Sequence, residues 1–219
     1  MPAAIAIPLS QIEITYTYDY PSIPLMTDRA ELIHQLFEAF RPWKPDIDDL
    51  LVVNEGKVSE QGITIKAASE RASFFVGVAY CRFTKNGVNW AEAAKIEEMV
   101  NAVLSTFHRL APVKLAGQKV TLSMHIQPEG VSVGEILRKT IVAEKLRNFG
   151  GEEMLVSVAI LRWRGFGLTI DRSAAIANGI YIQIEREHGP EATFADFKTA
   201  LAGDQERLFA LLDVQEAKN

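Results

Sequence analysis

The sequence predicts an α+β protein with a largely antiparallel sheet packed by about four helices. The segment Ile12–Tyr20 alternates apolar and polar residues, which is typical of a strand with one buried and one wetter face. Predicted strands and helices do not follow one another in regular β-α-β order, which disfavours a doubly wound parallel sheet. Of the 219 residues, 48% are hydrophobic and 23% are charged, so the chain has enough apolar material for a substantial core.

A helix is predicted after this first strand. Asp28 and Glu31 form an acidic variant of a capping box, and apolar residues then recur at helical spacing as far as Phe40. Pro42 ends the helix, because proline disfavours the helical conformation in the residue before it. The residues 41–49 are predicted to form a surface loop whose aspartates favour turns and solvation over an active site.

Two strands and a long helix are predicted in the middle of the chain. The strands lie at 63–67 and 73–83, and the second is predicted to be central because it is apolar on both faces. Asn86–Gly87 resembles a hairpin turn, but Asn89 is a good N-cap for a helix at 90–109. The turn is therefore predicted to lead into that helix.

The second half is predicted to contain a strand, a helix, three strands and a last helix. Ser132 and Glu135 form a capping box that begins the first of these helices, and Gly150–Gly151 ends it. The predicted bounds are 119–127 for the first strand, 133–148 for its helix, 154–163, 166–171 and 180–187 for the strand trio, and 193–214 for the last helix.

Length alone does not decide between one domain and two. We predict a single domain over 1–219, and any subdivision is predicted to fall into 1–127 and 128–219. The strand pair with the 90–109 helix and the strand trio with the last helix are compatible with two similar halves. No residue-level repeat supports a duplication.

Composition limits the compartment and the partners. The net charge of −5 and the pI near 5.5 disfavour nucleic acid as the main partner, because phosphate binding usually needs a basic surface. The single cysteine, Cys81, lies in an apolar strand pattern, which indicates a buried thiol and a reducing compartment. The apolar stretch 154–161 is far shorter than the roughly 20 residues that cross a bilayer. We predict a cytoplasmic protein that is not inserted in a membrane.

The sequence has no pattern typical of catalysis. Gly165 and Gly167 do not extend to a third spaced glycine, and the four histidines lie far apart in sequence. No Gly-x-Ser-x-Gly elbow is present. We therefore predict no catalytic residues, no metal site and no cofactor, and we favour a protein without enzymatic activity.

Basic residues in the second half form the candidate binding site. If they converge, they give an acidic protein a basic face for an acidic partner or a phosphate-bearing ligand. The alternative is a scattered, solvated set balanced by nearby glutamates. The candidates are Arg138, Lys139, Lys145, Arg147, Arg162, Trp163 and Arg164.

Three segments carry a resemblance to known proteins: Ile12–Tyr20, Asn89–Trp90 and Ile180–Glu187 before the last helix. In element order the chain resembles a sporadically distributed group of uncharacterised prokaryotic proteins. The resemblance implies a prokaryotic accessory gene in a defence or toxin–antitoxin context, and it implies no catalytic residues.

Two hypotheses for function follow. The first is a non-catalytic interaction or regulatory protein that binds another protein or itself as a homo-oligomer, with the first strand as a candidate sheet edge. The second is a small-molecule-binding protein or enzyme with a pocket between the sheet and the helices. Aromatic residues with polar edges suit such a pocket, and the candidates to line it are Tyr16, Tyr18, Tyr80, Trp163 and Tyr181.

Overall fold

A computed structural model describes residues 2–22, 29–53, 57–58, 61–110, 113–140 and 158–217. The fold is α+β with an antiparallel sheet, as predicted. The strands of the described residues are β1 (Ala3–Tyr18), β2 (Leu50–Val53), β3 (Gly62–Ala67), β4 (Ala72–Gly77), β5 (Tyr80–Asn86), β6 (Leu115–Pro128), β7 (Val158–Trp163), β8 (Phe166–Arg172), β9 (Ile180–His188) and β10 (Val214–Glu216). The helices are α1 (Arg29–Phe40), α2 (Ala93–Leu110), α3 (Val133–Thr140) and α4 (Phe194–Leu212).

The chain divides into two compact units. The middle unit comprises Gln11–Val120 and Glu187–Phe194, and the terminal unit comprises Met1–Ser10, Thr121–Arg186 and Ala195–Asn219. β1 and β6 contribute residues to both units.

The middle unit has the strand order β2-β3-β4-β5-β1 and two helices. Helix α1 ends at Phe40, two residues before Pro42, and it packs against α2 and β3. The period-two prediction for the first strand is confirmed, because Ile12, Ile14 and Tyr16 are buried.

The first strand was predicted to be a candidate edge, and the structure contradicts this. Gln11–Thr17 of β1 pairs antiparallel with β5, and β6 follows on the other side of β1 in the strand order. Alternation of apolar and polar residues reports which face is buried but does not report whether a strand has neighbours on both sides. The end strands of the sheet order are β2 and β7.

The single strand predicted at 73–83 is two strands. β4 and β5 form a hairpin in which Val76 pairs with Cys81. The turn residues Val78–Ala79 have no turn preference, and Val78 is buried, so the apolar pattern continues through the turn. Ser22 donates a backbone hydrogen bond to the Val78 carbonyl at 2.7 Å, which helps to fix the turn.

The aspartates of the predicted loop at 41–49 cap a short 3₁₀ turn. The Asp49 carboxylate accepts a hydrogen bond from the Asp46 backbone N–H at 3.0 Å, and the Asp46 carboxylate accepts one from the Asp48 N–H at 3.4 Å. These carboxylates therefore serve the backbone.

The terminal unit has the strand order β1-β6-β9-β8-β7, and α3 and α4 belong to the same unit. The predicted strand trio is confirmed for the described residues, since β7, β8 and β9 form an antiparallel meander. The capping box of α3 is present in part: the Glu135 backbone N–H donates to Ser132 Oγ at 3.2 Å.

The last strand closes the terminal unit. β10 pairs in parallel with the beginning of β1, and the partners are Ala3 with Val214 and Ile5 with Glu216. Both Ile5 and Val214 are buried. The β1–β10 pair is parallel. The pairs β1–β5, β2–β3, β3–β4, β4–β5, β7–β8 and β8–β9 are all antiparallel.

Candidate interaction surface

The hairpin of β7 and β8 lies at one end of the strand order. Trp163 pairs with Phe166, and Arg164 and Gly165 form the two-residue turn with φ values of 28° and 75°. Positive φ at both central residues matches the right-handed twist of a hairpin. Within the described residues, β7 pairs only with β8, so no described strand pairs with its outer edge.

Two large apolar side chains of β7 are exposed on one face of this edge. Trp163 is 72% exposed and Leu161 is 56% exposed. Residues paired directly across an antiparallel ladder point to the same face, so both side chains lie beside Phe166 and Leu168 of β8. Leu211 of α4 is also 58% exposed.

A cavity of about 250 Å³ lies between α4 and this face of β8 and β9. Its lining is mostly apolar. The lining residues are Phe166, Leu168, Ile184, Arg186, Asp204, Arg207, Leu208 and Leu211. We call the cavity together with the neighbouring Leu161 and Trp163 the edge groove.

The polar part of the edge groove is an ion pair with nearly ideal geometry. Arg186 Nε donates to Asp204 Oδ2 at 2.7 Å, and Arg186 Nη2 donates to Asp204 Oδ1 at 2.6 Å. The Asp204 side chain is only 7% exposed, and the hydrogen bond from Arg186 raises the pKa of the guanidinium. The guanidinium carbon also lies 4.8 Å from the centroid of the Phe166 ring.

Further guanidinium groups give the edge groove a positive rim. The exposed Arg207 lies 4.0 Å from the same Asp204 carboxylate, so two cations share one anion. Arg164 lies over the Trp163 ring at 5.8 Å from the centroid. Among the described residues, Arg164 forms no ion pair, and neither does Arg162, which lies on the opposite face of β7. The rim therefore favours a partner with carboxylates.

The seven sequence-predicted binding residues have different outcomes. Arg162, Trp163 and Arg164 are exposed and adjacent in the β7–β8 hairpin. Arg138 and Lys139 lie in α3, but their side chains are outside the described residues, as are Lys145 and Arg147 altogether. Convergence of the complete basic set stays a prediction.

The aromatic residues of the alternative pocket lie in different environments. Tyr16 and Tyr18 are buried in the middle unit, whereas the hydroxyl of the half-buried Tyr181 in the terminal unit donates to Gln183 at 2.7 Å. Tyr16, Tyr18, Tyr80 and Tyr181 line neither the cavity of the edge groove nor a second cavity beside α3.

The single cysteine is buried in the middle unit. Cys81 pairs with Tyr16 across the β1–β5 ladder, and burial raises the pKa of its thiol to about 12.

A second cavity, of about 450 Å³, lies between the beginning of α3 and the loop before β9. Its polar groups are engaged with the protein itself. Asn178 Oδ1 accepts from the Val133 N–H at 3.1 Å, and Ser173 Oγ accepts from the N–H groups of Ala175 and Ile176. Ser173 Oγ also lies 2.7 Å from Nδ1 of His125, and with two backbone donors it is a loop-capping hydroxyl and not a free nucleophile.

The described part of the chain contains no group of three or more His, Cys, Asp or Glu residues that could hold a metal ion. Nor does it contain a helix that is both long enough and apolar enough to cross a membrane.

Sequence reasoning missed the Arg186–Asp204 pair, although the pattern contains a signal for it. Arg186 continues the phase of Ile180, Ile182 and Ile184, whose side chains are all buried. A charge in the buried phase of a strand needs a buried partner. Asp204 lies one turn from Leu201 and Leu208 on α4 and supplies that partner.

Comparisons with known proteins give no family. No family model matches the chain, and no curated protein matches its sequence. The chain is similar to the solved structure of Methanococcus jannaschii TBP, at 9% identity over 95% of this chain and 98% of that one, with a TM-score of 0.35. It is similar to the class II 3-hydroxy-3-methylglutaryl-CoA reductase from Streptococcus pneumoniae, at 12% identity over 96% of this chain and 61% of that one, with a TM-score of 0.24. It is also similar to the di-domain ARO/CYC BexL from the BE-7585A biosynthetic pathway, at 12% identity over 95% of this chain and 99% of that one, with a TM-score of 0.21. Likenesses this low carry no conclusion about function.

Proposed function

We propose that this chain is a non-catalytic interaction protein that binds an acidic segment of another protein at the edge groove. One observation supports this most directly: Leu161, Trp163 and Leu211 expose large apolar side chains around one cavity at the end of the sheet order. Several large exposed apolar side chains next to a sheet edge are typical of a binding site.

The chemistry of the groove indicates the partner. Tryptophan and arginine are the residues that most often dominate binding energy at protein interfaces, and the hairpin presents Trp163 with Arg164 over its ring. Arg207 adds a further exposed guanidinium on α4. Carboxylates of a partner would meet these cations at the rim while apolar side chains enter the cavity.

Location and biological context belong to the same proposal. The single cysteine, Cys81, is a buried free thiol, which is compatible with a reducing compartment and supports the proposal of a cytoplasmic location. A role in a prokaryotic defence or toxin–antitoxin system, as the resemblance implies, stays a prediction.

Selection from a library of random short peptides on the purified chain tests the proposal. We expect enriched peptides that contain carboxylates and large apolar residues, with affinity that falls as salt concentration rises. The Leu161→Ser/Trp163→Ser variant should weaken their binding by about tenfold or more. Ile47→Ser is the matched control, because Ile47 is equally exposed at 69% but lies in the middle unit.

Two outcomes would contradict the proposal. One is the absence of any enriched peptide for this chain when the same library, selected in parallel on a control protein, recovers the peptide ligand of that control protein. The other is equal loss of binding in Ile47→Ser and in the groove variant. Circular dichroism and thermal melting of each variant establish that the fold is retained.

A further inference from the structure

We infer that the partner segment adds to the sheet as a strand alongside β7, with apolar and acidic residues in alternation. This inference rests on the proposed function and specifies how the edge groove is occupied. β7 lies at the end of the strand order, and among the described residues it pairs only with β8. Alternate residues of an end strand direct their backbone N–H and C=O groups outward, where an incoming strand can pair with them.

The register of β7 determines the alternation. Leu161 and Trp163 pair with Leu168 and Phe166, so their side chains lie on the face with the cavity. Arg162 lies between them and points to the opposite face. An added strand has the same period of two, so its side chains opposite Leu161 and Trp163 share the groove face.

Each position of the added strand then has a preferred chemistry. Apolar side chains are favoured opposite Leu161 and Trp163, because cross-strand apolar pairs remove both partners from water. A carboxylate is favoured opposite Arg162, whose guanidinium has no ion-pair partner among the described residues. The result is an alternating apolar and acidic strand.

Charge argues against a second copy of β7 as the occupant. A two-fold pairing of β7 with itself whose axis passes through Arg162 or Trp163 would place arginines of the two copies opposite each other, and like charges across a ladder are unfavourable. The competing occupant is β2 of another copy, which follows Asp46, Asp48 and Asp49. Such head-to-tail pairing would produce open chains of copies.

The test uses synthetic peptides and the full chain. The probe is a short, capped, fluorescent peptide of alternating valine and glutamate, and its binding is measured by anisotropy. Three matched peptides are compared with it: one of identical composition with valines and glutamates in blocks, one N-methylated at alternate backbone positions, and one with lysine in place of glutamate. N-methylation removes the backbone donors that strand pairing needs while it retains the side chains.

We expect the alternating valine–glutamate peptide to bind at least about tenfold more tightly than each of the other three. Arg162→Glu should reverse the preference, so that the valine–lysine peptide binds the variant more tightly than the valine–glutamate peptide does. Arg41→Glu, at an exposed site of the middle unit, is the matched control and should leave the order of affinities unchanged. Hydrogen exchange should show new protection of β7 amides when the peptide is bound.

Each contrary result overturns strand addition in a definite way. If the N-methylated peptide binds as well as its parent, side chains alone carry recognition, and the proposed function stands without the added strand. If no designed peptide binds, or if light scattering shows open chains of copies that disappear in an Asp48→Lys variant, strand addition by a foreign acidic segment is wrong. Failure of the proposed function itself would appear separately, in the library selection and the groove variant.

Discussion

Arg186 on β9 and Asp204 on α4 join their two elements by a bidentate ion pair, with nitrogen–oxygen distances of 2.7 and 2.6 Å. Replacement of Asp204 by alanine leaves the partly buried guanidinium without its anion. Since the Arg186 side chain is 32% exposed and gains some hydration, we expect a loss of about 2 to 3 kcal/mol in the free energy of unfolding.

Arg207→Gln is the control for this pair. The Arg207 side chain is 81% exposed and lies 4.0 Å from the same carboxylate, so its removal should change stability by less than about 0.5 kcal/mol. Urea denaturation of both variants measures the difference. A loss for Asp204→Ala as small as that expected for Arg207→Gln would mean that the ion pair adds little to the stability of the fold.

Two glycines separate helix propensity from backbone conformation. A Cβ atom added at Gly203, in α4, would meet nothing within 4 Å, so Gly203→Ala should raise stability by about 1 kcal/mol. A Cβ at Gly130 is equally unobstructed, but its φ of 69° favours glycine, so Gly130→Ala should lower stability by about 1 kcal/mol. Thermal melting should show shifts of opposite sign, each of about 2 to 4 °C.

Helix α3 offers a test of burial against charge. Leu137 is 1% exposed, so Leu137→Ala should cost about 2 to 5 kcal/mol of stability. Charge reversal of its neighbours, Arg138→Glu with Lys139→Glu, should leave the melting temperature of the partner-free protein almost unchanged if these residues belong to a binding surface. Unfolding of the charge-reversal variant would show that the two residues are structural.

The buried thiol of Cys81 and the buried phenols of Tyr16 and Tyr18 predict that the middle unit loses stability at alkaline pH. Burial raises the pKa of Cys81 from 9.0 to about 12, and burial also raises the pKa values of Tyr16 and Tyr18 above their ordinary value of 10.0. The folded state therefore holds these protons more tightly than the unfolded state does. Their contribution is fully present below about pH 9 and is lost as pH rises toward the folded-state pKa values.

Urea denaturation between about pH 8 and 10.5 measures this decline. Tyr18→Phe should make the decline shallower, because phenylalanine has no proton to lose. Tyr20→Phe should not, because Tyr20 is 57% exposed. A stability that stays constant over this range would contradict the burial of all three acids.

The sequence was sufficient to predict the elements that have local signals. The end of α1 before Pro42 was predicted from proline, and the beginning of α3 after Ser132 was predicted from its capping box. Both signals act within a few residues. The hairpin turn at Val78–Ala79 has no such signal, because buried side chains and a hydrogen bond from Ser22 determine it. The prediction that β1 is an edge strand was wrong for a similar reason. Which strands pair with β1 depends on residues far away in sequence, and the pattern within β1 does not report them.

The sequence predicted only the part of the candidate site that lies within one short segment of the chain. Trp163 and its flanking arginines were recognisable as an aromatic residue among cations. The cavity next to them was not, because it forms only when α4 brings Leu208 and Leu211 over β8 and β9. The position of Arg186, in phase with the buried isoleucines of β9, is the local feature of the sequence that indicates a partner of opposite charge on another element. That partner is Asp204 of α4.

The pairing of β10 with the beginning of β1 has a consequence for folding during synthesis. Ala3–Ile5 are synthesised well before their parallel partners Val214–Glu216, because each residue and its partner are 211 positions apart (214 − 3 = 211). Pairs so distant in sequence form slowly, because a long chain must be closed before any contact rewards the closure. The beginning of β1, with Ile5 that is buried in the folded chain, therefore has no β10 partner until Val214–Glu216 have been synthesised.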